Sequence, residues 1–122
     1  MKVLARLKLF ILILLAPFSG EAQETVLIEG SVTEESAQPL PFVNVILKKP
    51  QGESIISGTI TDELGAFSLS GIPKGNYIVE ISFIGYETIQ KKITAGGLNP
   101  IFDLGKIQMM PSAEALTEVQ IL

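Results

Sequence analysis

The chain has 122 residues, 47% of them hydrophobic and 18% charged, with 13 acidic against 9 basic side chains and neither histidine nor cysteine. Without those two residue types, Ser-His-Asp and Cys-His catalytic sites are excluded, as are zinc sites of the common ligand types and any disulfide. The net charge of −4 argues against a nucleic-acid partner, because affinity for phosphate backbones rests on clustered Lys and Arg.

At the N-terminus, Lys2, Arg6 and Lys8 precede an apolar run from Leu9 to Ala16, and Gly20-Glu21-Ala22 follows with small residues at two positions. That is the charged, apolar, small-residue order of a cleavable secretory signal peptide over residues 1–22. The longer run from Leu9 to Phe18 contains Pro17 and falls short of the roughly 20 residues that cross a bilayer. No cysteine follows it, which argues against a lipid-anchored lipoprotein. Cleavage after Ala22 leaves six basic and twelve acidic residues, a net charge of −6. The remaining chain is the size of one domain.

From Thr25 onward the apolar pattern has period two, interrupted by turn residues at short intervals, and this predicts an all-β chain. A first strand over Thr25–Thr33 sends Val26, Ile28 and Val32 inward. A polar connection ending in Pro39-Leu40-Pro41 suits a sheet edge or a crossover between sheets. The second strand, Pro41–Lys49, sends Val43, Val45 and Leu47 inward and Phe42 to the other face. Pro50-Gln51-Gly52-Glu53 turns the chain into a third strand near Ile55–Thr61, and Asp62-Glu63-Leu64-Gly65 is a hairpin signal. The fourth strand, Ala66–Ser70, points Phe67 and Leu69 inward, and Ile72-Pro73-Lys74-Gly75 reads as the next turn.

The fifth strand, Asn76–Ile84, carries Tyr77, Val79, Ile81 and Phe83 on its inner face. The sixth, Tyr86–Thr94, has Ile89 and Ile93 inward. The last, Ile101 to about Met110, shifts its inward set from Phe102 and Leu104 to Ile107 and Met109. That shift needs one extra residue, and Gly105 is placed to supply a β-bulge. Seven short strands predict two packed sheets over residues 23–110. Residues 111–122 are expected to be a linker followed by a new apolar segment, with pairing along a sheet edge as the alternative.

Several stretches carry a family resemblance: Gly30-Ser31-Val32-Thr33, Pro39-Leu40-Pro41-Phe42-Val43-Asn44-Val45, Gly58 to Leu69, Ile72 to Tyr77, and Ile81-Ser82-Phe83-Ile84-Gly85-Tyr86-Glu87. Their order and spacing resemble the carboxypeptidase regulatory-like domain. That domain is a transthyretin-like, seven-strand Greek-key β-sandwich found at the N-terminus of many bacterial TonB-dependent outer-membrane receptors and related β-barrel proteins. One departure is the first connection, where members commonly carry Asp then Gly and this chain has Glu34-Glu35-Ser36-Ala37-Gln38. The resemblance implies an exported, non-catalytic accessory domain in the periplasm or at the outer membrane. Its partner would be a downstream plug and barrel or another envelope protein, and the chain would be an N-terminal fragment, or a gene cut short, of such a receptor. The alternative is a free-standing secreted or cell-surface glycan-binding or adhesion module.

The residues give little chemistry to set against this. Asp62 with Glu63, and Glu34 with Glu35, are adjacent carboxylates at turns, not a facing acid and base. Asp62 and Glu63 could contribute oxygens to calcium, but their spacing matches no dedicated calcium loop. Gly96-Gly97 and Pro73-Lys74-Gly75 read as turns. Phe42 and Tyr86 are the two candidate exposed aromatics, and Tyr86 is expected to pack at a strand start. Lys48, Lys49, Lys91 and Lys92 could form a basic patch or guard sheet edges. No catalytic, cofactor-binding or metal-binding residue is expected.

Overall fold

The structure is a computed structural model that describes residues 24–52 and 54–113. The expected signal peptide and the apolar segment from Leu116 lie outside the described residues. Seven strands follow in chain order: β1 Thr25–Thr33, β2 Asn44–Lys48, β3 Ile55–Ile60, β4 Ala66–Pro73, β5 Gly75–Ser82, β6 Ile89–Ala95 and β7 Ile101–Gln108. They form a three-stranded sheet of order β4-β1-β7 and a four-stranded sheet of order β3-β2-β5-β6. All pairings are antiparallel except β1 with β7. This is the two-sheet β-sandwich that the alternation predicts.

Alternation also fixes the core. Val26, Ile28 and Val32 of β1, Val45 and Leu47 of β2, and Val79 and Ile81 of β5 are all buried. β-branched residues dominate because they suit a pleated, covered surface. With no cysteine in the chain, this apolar burial is the main stabilising term, at roughly 1.5–3 kcal/mol for each fully buried large side chain.

Two bulges bend the three-stranded sheet. Glu29 faces Asp103 but Ser31 faces Lys106, so β7 carries one extra residue. Gly105 there has φ 71°, as the shift of the inward set predicts. A second bulge has no such signal in the alternation: Val26 faces Ile72 but Ile28 faces Leu69, with Gly71 at φ 67°.

Three connections differ from the sequence reading. The Asp62–Gly65 turn forms, but β3 and β4 lie in different sheets, so it is a corner and not a hairpin. The expected turn at Ile72 and Pro73 is strand: β4 runs to Pro73, and the chain changes sheets at Lys74 alone. Pro73 is tolerated because β4 is an edge strand and proline has no N–H to waste there. Finally, β5 stops at Ser82, and Tyr86 precedes β6 in a turn where its N–H donates to Phe83 O at 3.1 Å.

The β1–β2 connection crosses between sheets, as its prolines suggest. Pro39 bridges antiparallel to Thr33, and Leu40 is buried beneath it. Ala37, in the stretch that departs from the family pattern, takes φ 67°, a conformation that glycine adopts at lower cost.

On the outer face of the four-stranded sheet, Glu80 Oε1 accepts from Gln90 Nε2 at 2.9 Å and from Lys48 Nζ at 3.0 Å. These hydrogen bonds, with the Lys48 charge, hold the Glu80 carboxyl below its ordinary value of 4.5. A lowered folded pKa gives stability that is complete above the ordinary value and is lost as pH falls through the folded one. Glu80→Gln is expected to cost about 1 kcal/mol or less near neutral pH. In urea melts the gap to wild type should close as pH falls below the ordinary carboxylate range, and a pH-independent gap would show that the charge contributes nothing.

Candidate functional site

Asp62, Glu34, Lys48 and Lys74, among the polar residues singled out in the sequence, make hydrogen bonds or ion pairs within the fold. Asp62 Oδ1 accepts from Leu64 N at 2.9 Å and Ala66 N at 3.0 Å, and Asp62 O accepts from Gly65 N at 2.9 Å. Gly65 is required at this corner. Its φ is 75°, and an added Cβ would lie 2.5 Å from Val32 O. Glu34 accepts from Ser36 Oγ, and the Glu35 carbonyl accepts from Gln108 Nε2 at 3.0 Å. Neither acidic pair converges on a common point. Among the described residues no group of three or more acidic side chains is placed to hold a metal ion.

The Lys74 and Gly96-Gly97 turns meet each other. Lys74 Nζ donates to Gly97 O at 3.1 Å and pairs with Glu24, and this pairing lowers the Glu24 pKa. The lysines do not converge. Lys48 is paired with Glu80, Lys49 lies past the end of β2, and Lys91 and Lys92 point to opposite faces of β6. Tyr86 is half-buried against Phe83, with ring centroids 5.9 Å apart and planes tilted by 37°. Tyr77 is buried, and its hydroxyl donates to Pro73 O at 2.5 Å.

Thr61 is the buried polar residue that the sequence reading passed over. Its Oγ1 accepts from Val43 N at 2.9 Å and donates to Leu40 O at 2.7 Å. Its backbone N donates to Val43 O and its carbonyl accepts from Phe42 N, both at 3.0 Å. One threonine thus pins the β1–β2 crossover to the end of β3.

Beyond Thr61 lies the pole of the sandwich made by the 34–43, 61–65 and 83–88 connections. Phe42, Leu64 and Ile84 stand exposed on those connections. The chain leaves the fold at this same pole. Met109 N donates to Thr33 O at 2.8 Å, Glu87 N to Met110 O at 2.8 Å, and Ser112 N to Gly85 O at 2.9 Å. Pro111 bridges antiparallel to Tyr86, so the exit is anchored through Ser112. A sequence signal for this pole was present but unused: leucine and isoleucine are uncommon choices at turn tips.

The family model of the CarboxypepD_reg-like domain matches residues 28–121. The chain belongs to this family. Within the CarboxypepD_reg-like domain the match runs past Met110 and takes in most of the apolar segment that follows the exit. No curated protein matches the chain.

Among solved structures, the domain is similar to BcpA, the major pilin subunit of Bacillus cereus, with TM-score 0.59 and 19% identity over 72% of this chain and 30% of that one. The group B streptococcus pilus 2b backbone protein gives TM-score 0.58 and 14% identity, covering 74% of this chain and 42% of that one. The 3-chlorocatechol 1,2-dioxygenase of Rhodococcus opacus gives TM-score 0.54 and 14% identity, covering 77% and 62%. The CarboxypepD_reg-like domain thus spans less than two thirds of each of these proteins. At such identities they share its sandwich fold alone.

Proposed function

We propose that this CarboxypepD_reg-like domain is a non-catalytic accessory module of a TonB-dependent receptor or related outer-membrane β-barrel protein, exported to the periplasm and acting through protein contacts. The observation that carries this reading is the anchored exit. The segment that follows β7 is clamped through Ser112 N to Gly85 O, so the chain leaves the sandwich at a fixed place and direction. Asp62, Glu80 and Thr61 are each bonded within turns and strands, which supports a structural use for them.

Envelope fractionation of cells expressing the tagged full coding region tests the reading. The protein is expected in the outer-membrane fraction, in a form larger than 122 residues. Recovery of a free domain from the medium, with glycan binding that Phe42→Ala abolishes, would overturn it in favour of an adhesion module.

A further inference from the structure

Turn tips favour Gly, Pro, Asn, Asp and Ser, yet the exit pole presents large apolar side chains at three of them. Phe42 is 63% exposed, Leu64 76% and Ile84 90%, and Met110 beside the exit is 44% exposed. Their common location follows from the backbone. Asn44 pairs with Ser82, and Phe42 and Ile84 each lie two residues beyond that pair at the same end. The Leu64 turn abuts the crossover, because a Cβ on Gly65 would meet Leu40 N at 3.2 Å and Pro39 Cβ at 3.3 Å.

Phe42 adds an independent sign that the surface is built for contact. Its φ is 64°, a left-handed conformation that bulky residues adopt only where the surroundings hold them. Here the Thr61 hydrogen bonds to Phe42 N and Val43 N do so. The strain holds an aromatic ring out in water.

Edge pairing is a poorer use of any apolar segment, because each free edge carries a deterrent. β4 has the Gly71 bulge and Pro73, and β7 has the Gly105 bulge. β6 carries Lys91 and Lys92, and β3 loses register between Ser57 and Ile55.

We infer that the exit pole is the docking surface for this chain's own residues 116–122. The pairing of Pro111 with Tyr86 is antiparallel, so the chain runs from Gly85 towards Ile84 and emerges on the pole. The nine residues 114–122 can span up to about 30 Å when extended. The pole of a four-stranded sheet stacked on a second sheet is about 15 Å by 10 Å. Leu116, Val119, Ile121 and Leu122 supply apolar side chains, and Glu118 is the one charge among residues 116–122. The family match through residue 121 makes this segment part of the domain's own pattern. This inference does not depend on the cellular location proposed above.

The absence of cysteine allows a single nitroxide at Gln120→Cys in the chain lacking residues 1–22. Paramagnetic broadening is expected at Leu64, Ile84 and Met110 and not at Leu98 beyond the opposite pole, and Ile84→Ser should weaken it while β5 amide shifts stay in place. Broadening confined to β3 or β6 would make the segment an eighth strand and overturn the inference, as would no broadening at the pole. Mixing the spin-labelled chain with an isotope-labelled, cysteine-free chain gives the last arm. Broadening transferred to the second chain would assign the pole to a second copy and also overturn the inference.

Discussion

Thr61→Val is expected to destabilise the domain by about 2–4 kcal/mol, although the two side chains have nearly the same shape. The substitution removes the hydroxyl that satisfies Val43 N and Leu40 O. Thr61 and Val43 are 1% and 0% exposed, so the orphaned N–H has no ready access to water. Each buried group left unpaired costs about 1–3 kcal/mol, against a typical total stability of about 5–15 kcal/mol. Thr61→Ser keeps the hydroxyl and gives up one methyl group, so it should cost less, on the order of 1 kcal/mol. Urea melts of the three proteins separate these terms. A valine variant at least as stable as the serine variant would mean that the crossover does not depend on the Thr61 hydroxyl.

The same threonine shows where the sequence ceases to be informative. Strand positions and inward faces were legible because burial on one face forces a period of two. Even the Gly105 bulge was readable, since the inward set breaks between Leu104 and Ile107. The partners of the Thr61 hydroxyl, however, lie 18 and 21 residues away, and nothing local marks a hydroxyl that will meet them. The Asp62–Gly65 turn has the same local chemistry whether its strands pair with each other or part into two sheets. Its reading as a hairpin therefore failed on a long-range fact, the pairing of β4 with β1. The exit pole was missed for another reason: Phe42 and Ile84 were read as outward residues of two separate strands and Leu64 as part of a turn, and only the pairing of Asn44 with Ser82 brings the first two to one end.

Ile81→Ala should cost about 2–5 kcal/mol, and more than Phe83→Ala, although phenylalanine is the larger residue. Alternation places both on the inner face of the fifth strand, but the structure separates them. Ile81 is fully buried in β5, between Val45 of β2 and Ile89 of β6. Its truncation leaves a cavity with strands on both sides that cannot collapse into it. Phe83 lies past the end of β5, half-buried against the core with its ring on Tyr86. Loss of that ring gives up part of its burial and one aromatic contact, about 1–2 kcal/mol, and water can fill the space. Denaturant melts at constant slope would give the order directly. If Phe83→Ala proved the more damaging, the turn from Phe83 to Tyr86 would be part of the sandwich core, and the exit clamp on Gly85 would rest on the most stable part of the fold.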